Sequence, residues 1–150
     1  MKIKIKKLHP QAKIPFKSTK EAACADVYAT EIAMNGDIKC KVKLGFSTEI
    51  PLGFKGIIVP RSSFTQRGWI MQNSPAQIDS DYRGEWIIKF EAIPQGKKLN
   101  NLTYNSFPYK VGDRIAQIFF EKVVDYEFKI TEDLVETQRG SGGFGSTGVK

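Results

Sequence analysis

Five strings of residues in this chain have the types and spacing for chemistry on a phosphorylated substrate. The most pointed is Arg139-Gly-Ser-Gly-Gly-Phe-Gly-Ser-Thr-Gly148. Glycine-rich backbone can turn several N–H groups toward one anion. Arg139 adds a fixed charge with fork geometry, Ser146 and Thr147 add hydroxyl donors, and Phe144 offers a flat face for a base. A plain linker has no use for Arg or Phe, though a Gly-rich string alone also suits a disordered end. A second string, Pro60-Arg-Ser-Ser63, follows the apolar run Ile57-Ile-Val59. Arg61, Ser62 and Ser63 at a strand end can grip phosphate oxygens. Ser62 or Ser63 can equally cap a short helix, and the two roles are compatible.

Three further strings are weaker taken singly. In Ile78-Asp-Ser-Asp-Tyr-Arg-Gly-Glu85, an Asp can orient or deprotonate a water, or meet the outer shell of Mg²⁺. The same residues also make an ordinary hairpin turn. In Gly112-Asp-Arg-Ile-Ala-Gln-Ile118, Arg114 and Gln117 are the polar exceptions in an apolar strand pattern, either surface pairs or ligand contacts. In Ala22-Ala-Cys-Ala-Asp-Val-Tyr-Ala29, small residues surround Asp26, which implies close packing around one aimed carboxylate.

The elements that must position these strings read as strands. Lys2 to Leu8 alternates charged and apolar residues, and Ile38 to Phe46 does so with Ile38, Cys40, Val42 and Leu44 on one face. Gly56 to Val59, Trp86 to Ala92 and Ile115 to Val124 are apolar and rich in β-branched or aromatic residues. Turn signals separate them at Asn35-Gly36, Pro51-Leu-Gly53, Gln95-Gly96 and Val111-Gly-Asp113. Many short strands with one short helix near Ser62 to Gln66 predict an all-β sandwich, barrel or jelly roll. Residues 96–108 read as a polar loop. Residues 1–137 form one β-domain, and 138–150 form a flexible Gly-rich arm.

Composition narrows the function classes. The 150 residues suit one core, and the net charge of +7 favours an anionic partner without choosing among nucleotide, nucleic acid and membrane surface. Cys24, Cys40 and the lone His9 lack zinc-ligand spacing. No secretion signal and no membrane-length apolar run is present, so a cytoplasmic protein with reduced thiols is expected. No RNA-binding sheet motif is found, so neither a specific nucleic acid nor a membrane is an expected partner.

Taken in order, the five strings resemble the five motifs of the trimeric all-β dUTPase family, which spread over almost the whole chain. That resemblance implies a distorted jelly-roll or β-barrel fold and a homotrimer with three intersubunit active sites. It implies Mg²⁺-dependent hydrolysis of dUTP to dUMP and pyrophosphate by water attack at the α-phosphorus. Such an activity limits uracil in DNA and supplies dUMP for dTMP synthesis. By the same resemblance Asp79 orients and activates the water, and Ser62 contacts the bridge between α- and β-phosphates with Arg61 and Ser63 nearby. Gln117 reaches the phosphate chain or the water, and Asp26 touches the metal's water shell. Tyr82 packs under the deoxyribose and rejects UTP. The stretch Ile70 to Ile78, with Asn73 inside it, resembles a hairpin that reads uracil through backbone groups. Arg139, Ser146 and Thr147 clamp the β- and γ-phosphates, while Phe144, with Gly145 beside it, closes over the base.

The chain departs from the family pattern at two places. Cys24 stands where the first motif usually has Gly, and Ala76, behind Pro75, stands where the third does. These substitutions bear on the path of the base-reading segment and not on the fold. The rivals are a dCTP deaminase of the same fold, which needs a carboxylate placed on the cytosine amino group, and a binding protein without turnover.

Overall fold

In the computed structural model, residues 1–64, 67–94 and 103–143 are described. Ten strands occur among them: β1 Lys4–Lys7, β2 Ala25–Tyr28, β3 Glu31–Asn35, β4 Lys39–Lys43, β5 Phe46–Glu49, β6 Phe54–Val59, β7 Trp69–Met71, β8 Ala76–Ile78, β9 Ile87–Ala92 and β10 Arg114–Lys122. One 3₁₀ turn, Ser62–Phe64, follows β6 and covers the start of the expected helix, whose end at Gln66 lies outside the described residues. All pairings are antiparallel. Two four-stranded sheets, ordered β2-β10-β6-β8 and β3-β4-β9-β7, are joined by the two-stranded sheet β1-β5.

Alternation along the strands explains how the sheets share one core. In β4, Cys40 and Val42 point inward and Lys39 and Lys41 outward. In β9, Ile88, Phe90 and Ala92 are inward and Lys89 outward. They meet Val27, Ile58, Ala116 and Ile118 of the other sheet in a single hydrophobic cluster. Aromatic contacts close its ends: Phe46 on Trp86 at 5.4 Å, Phe64 on Phe90 at 5.0 Å and Trp69 on Phe107 at 5.0 Å between ring centroids.

Two expectations need correction. The run Ile38 to Phe46 is not one strand, because Gly45 adopts φ +72° and ends β4. A side chain there would meet Thr30 Oγ1 at 2.7 Å and Ala12 Cβ at 2.8 Å, so the chain bends where only Gly fits. β5 then leaves that sheet and pairs with β1. The stretch 70–78 is not a hydrogen-bonded hairpin: β7 pairs with β9 and β8 with β6, so the segment crosses between sheets. Pro75 has no N–H to give to a ladder, which suits a crossing. Residues 103–108, the described part of the expected 96–108 loop, form no helix or strand, and they are fastened to the core. Trp69 Nε1 donates to the Asn105 carbonyl at 2.8 Å, and Phe107 packs on Trp69 and Phe90.

Candidate active site

The sheet β2-β10-β6-β8 carries four of the five strings, and its registers decide which meet. Asp26 on β2 lies opposite Gln117 on β10, and Gln117 lies opposite Val59 at the end of β6. Arg61 and Ser62 follow directly, so Asp26, Gln117, Arg61 and Ser62 gather at one end of the sheet. The Asp26 backbone is held on its other side by reciprocal hydrogen bonds with Phe16, at 2.8 and 3.1 Å.

Asp26 is the hub of this cluster and only 6% exposed. Its Oδ1 accepts from Arg61 Nε at 3.0 Å and from Gln117 Nε2 at 3.4 Å. Its Oδ2 accepts from Arg114 Nη1 at 3.1 Å. Such a buried carboxylate persists because cationic donors replace its lost hydration. Two guanidinium groups share one carboxylate, so the cluster keeps a net positive charge facing solvent, as phosphate binding needs. Among the described residues no group of three or more His, Cys, Asp or Glu comes together to hold a metal ion. With three donors already on Asp26, this set suits contact with a metal's water rather than with the bare ion.

The third string lies at the far end of the same sheet. Ile78 on β8 is opposite Gly56, whereas Gln117 is opposite Val59. Asp79, one residue on, therefore stands roughly 13 Å from the level of Gln117 along the strands, at about 3.3 Å per residue. Asp79 is exposed, and its carbonyl accepts from the Tyr82 N–H at 3.2 Å in a tight turn. Tyr82, 42% exposed, donates its hydroxyl to the Glu85 carbonyl at 3.1 Å. Its ring lies directly over Gly84, where an added Cβ would fall 2.2 Å from the hydroxyl oxygen. Gly84, which the motif reading left without a role, thus makes the space for Tyr82.

Asn73 is engaged within the chain. Its Oδ1 accepts from the Lys89 N–H at 3.0 Å and its Nδ2 donates to the Ile87 carbonyl at 3.2 Å. The side chain pins the 72–75 connection to β9, with one donor and one lone pair left over. Ile78 is half-buried at the end of β8. Ser62 and Ser63 are exposed on the 3₁₀ turn. Arg139 lies in an exposed segment and donates to the Gly142 carbonyl at 2.9 Å. Phe144, Gly145, Ser146 and Thr147 lie outside the described residues. A groove of about 830 Å³ is lined by Ile32, Met34, Tyr104, Phe107, Tyr109 and Val111 among others, and by none of the candidate site residues. Among the described residues Asp26, Arg61, Ser62 and Gln117 therefore lie at one end of the sheet and Asp79 and Tyr82 toward the other, two candidate half-sites.

Comparison with known proteins gives these half-sites a context. The dUTPase family model matches residues 10–148. The deoxyuridine 5'-triphosphate nucleotidohydrolase of Nautilia profundicola is 42% identical, over 99% of this chain and 99% of its own length. That of Helicobacter pylori strain P12 is 40% identical, over 99% of this chain and 98% of its own. Among solved structures, a dUTPase variant of Staphylococcus bacteriophage 80alpha with dUpNHpp shares the fold at TM-score 0.82 and 22% identity, covering 99% of both chains. A variant of the S. aureus phage phi11 enzyme, described with a structural Mg(II) ion, does so at TM-score 0.72 and 18% identity, covering 89% of this chain and 98% of its own. The all-β fold is common to them all, and the family match over nearly the full length goes further: this chain belongs to the dUTPase family.

Proposed function

We propose that this chain hydrolyses dUTP to dUMP and pyrophosphate, in sites assembled between the copies of a homotrimer. The separation of Asp79 and Tyr82 from Asp26, Arg61 and Gln117 on one sheet carries this reading. Two half-sites that cannot meet within a chain can meet between chains. In the assembled site Arg61, Ser62, Ser63 and Gln117 of one copy bind the triphosphate, and Asp26 would touch the water shell of its metal. Asp79 of another copy holds the attacking water in line with the α-phosphorus, where placement matters more than basicity. Tyr82 of that copy packs against the deoxyribose, and the backbone of 70–78, ending at Ile78 and braced by Asn73, reads the uracil. Arg139 with Phe144, Gly145, Ser146 and Thr147 forms the arm, residues 138–150, that closes over the bound nucleotide. Mg²⁺ bound with the triphosphate would supply neutralisation of phosphate charge and a fixed phosphate conformation.

The segment after β10 supports assembly. Val124, Tyr126, Phe128 and Ile130 alternate with Asp125, Glu127 and Lys129, a strand pattern. Yet among the described residues they pair with no strand, and Phe128 and Ile130 are 92% and 99% exposed. Apolar side chains on such a segment call for cover by a second copy. Both cysteines are free, which supports a reducing, cytoplasmic setting. Among the described residues no helix is long and apolar enough to cross a membrane.

The test is product analysis with dUTP, dCTP, dTTP and UTP in the presence of Mg²⁺. Pyrophosphate and dUMP from dUTP alone are expected; deaminated dCTP, or no reaction, sinks the assignment. Assembly between chains is tested by co-refolding Asp79→Asn with Gln117→Ala, each inactive by itself. Random mixing is expected to restore about a quarter of the sites, whereas no recovery in mixed oligomers places both half-sites' work within one chain.

A further inference from the structure

β10 contains an irregularity that bears on the phosphate end of the site. Arg114 lies opposite Tyr28 and Ala116 opposite Val27, so two steps on β10 match one on β2 and Ile115 is the extra residue. This is a β-bulge, and it shifts the side-chain parity. In a regular strand Arg114 would share a face with Ala116 and Ile118, which point into the core at 0% and 3% exposure. With the bulge, Ile115 and Ala116 are both fully buried, and Arg114 and Gln117, three residues apart, emerge on one face together with Asp26.

We infer that Arg114 is a positioning residue for triphosphate binding, acting through Asp26 and Arg61. It touches the cluster twice: its guanidinium donates to Asp26 Oδ2 at 3.1 Å, and its carbonyl accepts from Arg61 Nη1 at 3.4 Å. Both contacts depend on the bulge. Without Arg114, Asp26 and Arg61 form a one-to-one ion pair whose charges cancel. With it, Asp26 is shared between two cations, and the Arg61 charge stays available to an incoming phosphate. The bulge thus supplies the second cation that keeps the cluster attractive to an anion, while orienting Arg61 by the carbonyl of the same residue.

This inference rests on the dUTP reading, and one titration separates the two. Calorimetry with dUpNHpp is run on the wild type, Arg114→Gln and Arg114→Lys, alongside thermal melting and steady-state kinetics. Arg114→Gln is expected to weaken dUpNHpp binding about tenfold or more, with KM raised more than kcat is lowered and a shallower dependence of binding on salt. Arg114→Lys, which keeps the charge, is expected to stay within about threefold of the wild type. Equal affinity of wild type and Arg114→Gln overturns the inference and leaves the dUTP reading standing. Failure of the wild type to bind dUpNHpp overturns that reading itself. Should Arg114→Gln not fold, Arg114→Lys decides: a folded protein with wild-type melting but a tenfold loss of affinity refutes charge sharing, and retained affinity with an unchanged salt dependence upholds it.

Discussion

Replacing Gly84 by Ala tests the proposed role of Tyr82, in the turn after β8, in selecting the sugar. The backbone at Gly84 lies outside the left-handed region, so Ala meets no backbone strain there. The obstacle is Tyr82: the new methyl carbon would stand 2.2 Å from its hydroxyl oxygen, 2.4 Å from Cζ and 2.8 Å from Cε2. Carbon atoms rest about 3.5 Å apart, so the ring must retreat by about 1 Å. The hydroxyl then leaves the Glu85 carbonyl, a loss of about 1 kcal/mol or less at an exposed site. A displacement of ~1 Å at a positioning group costs up to about a hundredfold in rate. We expect kcat/KM for dUTP to fall roughly ten- to hundredfold, which is about 1.4–2.7 kcal/mol of transition-state stabilisation. The value for UTP should hold or rise as the ring's exclusion of the 2′-hydroxyl relaxes. Steady-state pyrophosphate release with both nucleotides reads the ratio, and Tyr82→Phe is the control that keeps the ring and drops only the hydrogen bond. Unchanged discrimination in Gly84→Ala, with Tyr82 seen to be displaced, would refute the placement of this ring against the sugar.

Three further perturbations follow from the same geometry. Asp79→Asn should still bind dUpNHpp while turnover drops about 10²- to 10⁴-fold; near-normal turnover in a single-cycle assay removes Asp79 from water activation. Deleting residues after Gln138 should cut turnover and leave the melting temperature within a few degrees, because among the described residues Arg139 and Gly140 bond within their own turn. Full activity of the truncated chain would take the arm out of the mechanism. Burial pushes the Cys40 thiol up from 9.0 to about 12. The folded protein therefore holds that proton more tightly than the unfolded chain. The resulting stabilisation is complete below the unfolded value and is lost as pH rises through the folded one. Urea midpoints should fall between pH 9.0 and about 12 in the wild type and less so in Cys40→Ala; equal slopes contradict the account. In the same protein a thiol reagent at about pH 8 should reach half-buried Cys24 before Cys40.

Much of the molecule was legible from residue order. Alternation placed Cys40 and Val42 inward on β4 and marked β1, because a half-buried strand repeats every two residues, while apolar, β-branched or aromatic runs marked β6, β9 and β10. The motif strings pointed to Asp26, Arg61, Gln117, Asp79 and Tyr82 by chemical type. Short strands such as β3, β7 and β8 were less readable: β7 and β8 have three residues each, too few for a period to declare itself. The 96–108 segment looked polar, yet Phe107 anchors its described part, since one aromatic ring can bury more area than several polar neighbours expose.

What residue order determined by itself is the inventory: an all-β chain with the anion-binding and carboxylate groups of the dUTPase family, held at spacings that local periodicity can express. Tertiary structure alone decided how these groups are shared out. Register sent Asp79 and Asp26 to opposite ends of one sheet. A single extra residue, Ile115, turned Arg114 from the core face to the face that carries Asp26 and Gln117. Gly45 ended a strand that its neighbours would have continued, because Thr30 and Ala12 stand where a side chain would go. Each of these outcomes depends on contacts between residues far apart in the chain, and such contacts leave no periodic trace in the sequence.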